Sequence, residues 1–130
     1  MTAEQLVETA KAAMLLAYAP YSGYKVGAAL LCANGAVYTG CNIENAAFTP
    51  SICAERTAFS KAISEGQREF TAIAVCGGRD GVIDGTFPPC GVCRQVMAEF
   101  CKKDFIIYMI KSDGWEEVTL ADLLPHSFTL

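Results

Sequence analysis

The chain has 130 residues, a net charge of −4, 52% hydrophobic and only 18% charged residues. That length suits one domain with a real core, and the acidic balance disfavours a polynucleotide partner, whose phosphates ask for basic surface. No apolar run is long enough to span a membrane, and Thr2-Ala3-Glu4-Gln5 opens without the basic region of a secretory signal, so the apolar excess points to surface hidden in an oligomer.

Thr2 and Gln5 have capping-box spacing. Leu6, Ala10, Met14 and Ala17 then recur at helical period, with Pro20 as the stop. Val26–Cys32 reads as a strand apolar on both faces, Asn34-Gly35 as a tight turn and Val37–Cys41 as the returning strand. Thr49-Pro50 is expected to cap a second helix carrying Cys53, Glu55, Arg56, Phe59 and Ile63 and ending near Gly66. Phe70–Cys76 reads as a strand, and the glycine-rich stretch 77–85 as a loop. Pro88-Pro89 lead into a helix through Val92, Val96, Met97 and Phe100. Phe105–Ile110 and Trp115–Val118 are strands about a turn at Ser112-Asp113-Gly114, and Thr119 with Asp122 caps a last short helix before Pro125. The order α-β-β-α-β-α-β-β-α, with apolar strands, predicts an α/β domain over 1–130: a mixed five-stranded sheet covered by helices on both faces.

Seven cysteines, an odd number, with a Cys-x-x-Cys spacing and no signal argue for reduced thiols in a cytoplasmic protein. Cys90 and Cys93 share a helix face, and Cys53 sits near another helix start. Partial positive charge at helix starts favours thiolates. Three such ligands leave the fourth zinc position open, the arrangement of a catalytic site, and Glu55 offers a carboxylate beside it for proton transfer. Two other readings of Cys-x-x-Cys stay open at this level. One is a dithiol redox pair; the other is a structural zinc with Cys32, Cys41, Cys76 or Cys101 as fourth ligand. An anionic three-sulfur site also needs charge withdrawn from it, for which Arg56 and Arg94, next to the clusters, are candidates. His126, the single histidine, is expected at a surface or an interface.

The combination of Tyr21-Ser22, Lys25-Val26-Gly27-Ala28-Ala29, Asn42-Ile43-Glu44-Asn45-Ala46, Cys53-Ala54-Glu55-Arg56, Pro89-Cys90-Gly91-Val92-Cys93-Arg94-Gln95 and Leu123-Leu124-Pro125 resembles the cytidine deaminase family in its short, homotetrameric form. The zinc deaminases that use a non-ligand Glu with a Pro-Cys-x-x-Cys element are a described class. The resemblance implies the three-layer α/β/α fold of that family and a zinc cofactor on Cys53, Cys90 and Cys93, with Glu55 as proton shuttle. It also implies hydrolysis of cytidine and 2′-deoxycytidine to the uridines, in pyrimidine salvage. Asn42 and Glu44 are then expected on the ribose hydroxyls, the Ala54 backbone on the pyrimidine edge, and Phe128 as a C-terminal aromatic closing a pocket, often a neighbouring subunit's. Tyr24 stands where a phenylalanine often packs on the pyrimidine, and Phe48 where a tyrosine is frequent. The partner it implies is a small nucleoside, with no nucleic acid and no membrane. A deaminase of the same fold acting on a modified nucleoside such as blasticidin S is the neighbouring alternative, and a plain ribose fits Asn42 and Glu44 better.

Overall fold

Alternation along the strands divides the apolar residues between two faces of one sheet. In a computed structural model describing residues 1–130, the elements are α1 (Ala3–Met14), β1 (Tyr24–Cys32), β2 (Val37–Cys41), α2 (Ala54–Ser64), β3 (Phe70–Arg79), α3 (Gly91–Phe100), β4 (Ile106–Lys111), β5 (Gly114–Thr119) and α4 (Leu120–Leu123). The sheet order is β2-β1-β3-β4-β5. Only β3 and β4 run parallel, joined by the crossover that contains α3; the other pairs are antiparallel. The expected mixed five-stranded α/β/α architecture is the observed one.

Ala28, Leu30, Cys32, Ile73, Val75 and Ile107 face one core with Ala58, Phe59, Ala62 and Met97 of α2 and α3. Ala29, Ala72, Ala74, Cys76 and Ile110 face the other with Leu6, Val7, Ala10 and Met14 of α1. Two glycines let the helices sit on the sheet backbone to backbone. A Cβ on Gly27 would lie 2.3 Å from the Ala10 carbonyl oxygen, and one on Gly40 would lie 2.2 Å from the Ala54 carbonyl oxygen. Neither approach leaves room for a side chain. Both predicted capping boxes form, at Thr2/Gln5 and Thr119/Asp122. No helix is long and apolar enough to cross a membrane.

Three local expectations need correction. First, α1 ends at Met14 because the segment beyond it pairs with a different part of the chain. The Tyr18 N–H donates to the Asn42 carbonyl, and the Glu44 N–H donates to the Tyr18 carbonyl. Second, Thr49-Pro50 does not cap α2. Ile52 instead exchanges two backbone hydrogen bonds with Ile43, which keeps the approach extended and delays the helix until Cys53 is its N-cap. Third, Gly77 and Gly78 belong to β3, opposite Val26 and Lys25. They mark tight packing: a Cβ on Gly77 would meet the Phe87 ring at 2.9 Å, and one on Gly78 the Val82 carbonyl oxygen at 1.7 Å. Sequence alone does not separate a glycine kept for room from one kept for a turn.

Candidate functional site

Two helix starts meet at one end of the sheet. Cys53 is the N-cap of α2 and Cys90 the N-cap of α3, both with extended backbone, and Cys93 lies in the first turn of α3. Their sulfurs lie within 4.8 Å of one another, with Cys53 and Cys90 at 3.8 Å. Three sulfurs on a tetrahedral zinc at about 2.3 Å would stand about 3.8 Å apart, so the donor set fits that ion in spacing and in softness. Cys32, Cys41, Cys76 and Cys101 are absent from this cluster. Cys32 and Cys76 are buried in the two cores, which removes the four-cysteine structural reading.

The thiols polarise one another. The contact from Cys93, together with the Arg56 guanidinium, holds Cys53 well below the ordinary thiol range; the same contact and burial raise Cys93. Arg56 Nη2 donates to Cys53 Sγ at 3.5 Å, while its Nε is buried without a protein partner. Arg94, the other candidate for drawing charge from sulfur, is occupied elsewhere. Its Nε donates to the Pro89 carbonyl and its Nη1 to the Leu123 carbonyl, each at 2.7 Å. Of the two candidates only Arg56 donates to sulfur, and Arg94 ties the start of α3 to α4.

Glu55 follows in the first turn of α2 and is only 4% exposed. Burial is the main cause that pushes its carboxyl up to about 7, where it can both take and give a proton near neutrality. It lines a cavity of about 500 Å³ with Cys53, Ala54, Cys90, Asn42 and Glu44 among others. Ala54 is the first helical residue, so its N–H has no acceptor within the helix.

Asn42 and Glu44 reach this cavity already held by the chain. Asn42 Oδ1 accepts from the Val26 N–H and its Nδ2 donates to the Tyr24 carbonyl, both at 2.8 Å. One lone pair and one N–H remain for a ligand. Glu44 Oε1 accepts from the Tyr21 and Ser22 N–H groups at 2.9 and 3.0 Å, and its Oε2 accepts from the Ser22 hydroxyl. The Ser22 bonds hold the Glu44 carboxyl below the usual carboxylate range. The Tyr21–Ser22 cradle is thus a part of the site whose role the sequence reading left unassigned, although it quoted both residues.

Tyr24 and Phe128 are not on the cavity wall. Tyr24 lies outside it, with its hydroxyl accepting from Arg79 Nη2 at 3.3 Å. Phe128 is 67% exposed, and its carbonyl accepts from Gln95 Nε2. Phe48, on the wall, is 77% exposed at φ 57°. His126 is exposed. The wall aromatic that sequence reasoning missed is Phe87. Its only signal was a large apolar residue immediately before Pro88-Pro89, between the loop read over 77–85 and the helix that follows.

Fold and site together define a class: an α/β protein whose sheet end carries a three-sulfur metal centre with a buried carboxyl beside it. Residues 1–109 match the family model for the cytidine and deoxycytidylate deaminase zinc-binding region. The cytidine deaminase of Sporosarcina psychrophila is 48% identical over 130 residues, covering 99% of this chain and 93% of that protein. That of Halalkalibacterium halodurans is 47% identical, covering 99% and 96%. The crystal structure of cytidine deaminase from Burkholderia pseudomallei superposes with a TM-score of 0.91 at 46% identity, covering 98% of this chain and all of that one. The chain belongs to the cytidine deaminase family, whose model describes a zinc-binding region, and its Cys53–Cys90–Cys93 cluster fits a zinc site.

Proposed function

We propose that this chain, acting as a single domain, hydrolyses cytidine and 2′-deoxycytidine to uridine and 2′-deoxyuridine with release of ammonia. It does so with zinc on Cys53, Cys90 and Cys93, as a homotetramer serving pyrimidine salvage in the cytoplasm. The observation that carries this reading is Glu55. A carboxyl buried in a cavity that two of the three clustered cysteines also line supports a proton-transfer role.

Zinc, when bound, supplies the Lewis acidity that makes water a nucleophile near neutral pH. Glu55 takes a proton from that water and gives it to N3 of the pyrimidine, which makes C4 electrophilic. The hydroxide so formed adds to C4; Glu55 then takes the proton of the new C4 hydroxyl and gives it to the exocyclic amine, which leaves as ammonia as the C4 carbonyl forms. Ala54 offers its free N–H to the ring edge. Asn42 and Glu44, fixed by β1 and by the Tyr21–Ser22 turn, bind the ribose hydroxyls through their remaining hydrogen-bonding capacity. Arg56 offsets the negative charge of the sulfurs. Phe128, which is exposed and does not line its own cavity, is assigned to the pocket of a neighbouring subunit, and the exposed Phe48 to a subunit boundary.

The test is ammonia release from cytidine and deoxycytidine by wild type and Glu55→Gln, with zinc measured in both. Turnover in wild type and a loss of about 100-fold or more in a zinc-replete variant is the expected result. A zinc-replete wild type inert on both nucleosides overturns the activity. Sedimentation of the active protein as anything but a tetramer overturns the assembly.

A further inference from the structure

The polar residues of the cavity ride on different elements. Cys53, Ala54 and Glu55 open α2, whereas the Asn42 side chain is fixed to β1 by its bonds to Val26 and Tyr24. A ligand that touches both sets needs the spacing between them held. Two ties join the chain on either side of Asn42 to the α2 segment. After it, Ile43 exchanges two backbone hydrogen bonds with Ile52. Before it, the Thr57 hydroxyl donates to the Cys41 carbonyl at 3.1 Å. That carbonyl and the Asn42 N–H belong to one peptide unit, and the N–H donates to the Val26 carbonyl at 3.2 Å. One peptide plane is therefore held by β1 at its nitrogen and by α2 at its oxygen. The Thr57 hydroxyl also stands 3.2 Å from the Cys53 carbonyl, but that oxygen already accepts from the Thr57 N–H at 3.1 Å. A hydroxyl has one proton to give, and the bond to Cys41 is the one that joins two elements. Gly40 leaves room for it, since a Cβ there would lie 3.1 Å from the Thr57 Cβ.

We infer that Thr57 is a positioning residue for the sugar contacts of the site. By tying the Cys41–Asn42 peptide to α2, it sets Asn42 at a fixed distance from Cys53 and Glu55. The inference rests on the proposed nucleoside chemistry, because it takes Asn42 to meet the sugar hydroxyls. Neither Thr57 nor Cys41 lines the cavity, so their effect on the ligand passes through Asn42. A general loosening of the start of α2 would weaken every ligand alike. Loss of the Thr57 tie weakens those ligands whose sugar Asn42 holds.

The experiment is steady-state kinetics on cytidine and on 2′,3′-dideoxycytidine, which lacks the sugar hydroxyls, with zinc measured in every variant. Thr57→Val replaces the hydroxyl by a methyl of similar size. It should raise KM for cytidine about five- to tenfold, the worth of one hydrogen bond, and KM for the dideoxy compound less than about twofold. Zinc content should match wild type. Thr57→Ser, the conservative variant, keeps the donor and should stay near wild type. Thr57→Ala should repeat the pattern of Thr57→Val and serves in its place if Thr57→Val does not fold. Equal rises in KM on the two nucleosides overturn the inference. So does a loss confined to kcat or to zinc content, and so does an unchanged KM for cytidine in a folded Thr57→Val or Thr57→Ala. Binding of uridine and 2′,3′-dideoxyuridine, titrated by NMR, separates this from the enzymatic reading. A wild type inert on cytidine, whose Thr57→Val variant binds uridine more weakly and the dideoxy compound as before, sinks the deaminase proposal and leaves Thr57 standing. Uridine binding indifferent to Thr57 in an active enzyme sinks this inference alone.

Discussion

Arg56 and Arg94 follow Glu55 and Cys93 directly in sequence, and their surroundings give them different work. Arg56 faces sulfur at 3.5 Å, so Arg56→Ala should lower turnover while zinc content, assayed on the same preparation, stays near one per chain. Arg94 binds two backbone carbonyls. Arg94→Ala should therefore cost about 1.5–3 kcal/mol of stability by chemical denaturation, the range for a hydrogen-bonded charged group. Ser22 is a third case. It lowers the pKa of Glu44, so the carboxylate, and the diol binding we assign to it, persists at pH values where an ordinary glutamate is already protonated. That binding is lost as pH falls through the lowered value. Ser22→Ala raises that value, so KM for cytidine should begin its acid-side climb at a higher pH than in wild type, with kcat little affected. A profile of KM against pH for the two proteins decides it.

At the scale of elements, the site depends on where α2 and α3 begin. Gly40 fixes α2 against β2 by letting the Ala54 carbonyl come close. Gly40→Ala forces helix and strand apart and should cost about 1–3 kcal/mol, as overpacking does. It should also lower turnover beyond what partial unfolding explains, since Cys53 and Glu55 ride on the displaced turn; denaturation and activity measured at one temperature separate the two. The same region shows what was legible in the chain. The helix, its cysteine, its carboxylate and the Cys-x-x-Cys partner all follow from spacing and periodicity. The true start of α2 does not, because the Ile43–Ile52 pairing that delays it joins residues whose approach no local pattern announces. Tyr18, pairing with Ile43, ends α1 early for the same reason. Phe87 was illegible for a related one: its place on the cavity wall depends on Gly77, ten positions away, having no side chain.

Across the whole molecule, the nine elements and their order were readable, because turn residues bound the apolar strands, helical periodicity marks the long helices, and capping boxes open α1 and α4. The sheet order β2-β1-β3-β4-β5 was not, since strand adjacency leaves no trace in local sequence. That order places β3 at the centre, between β1 and β4, with the two cores on opposite faces. Leu6→Ala, in the α1 core and 1% exposed before the change, should cost about 2–5 kcal/mol. Below the melting range its kcat should match wild type, because no side chain of that core lines the cavity. A truncation of comparable size on the other face, Met97→Ala, should lower both stability and turnover.

The separation of those two cores bears on how such a chain can change over time. Heat tolerance can be adjusted through the inner face of α1, where a substitution meets small sheet residues such as Ala29, Ala72 and Ala74. Core residues that also line the cavity, Ala54 and Val75, lie on the far side of the same strands. A catalyst built this way adapts to climate without relearning its reaction.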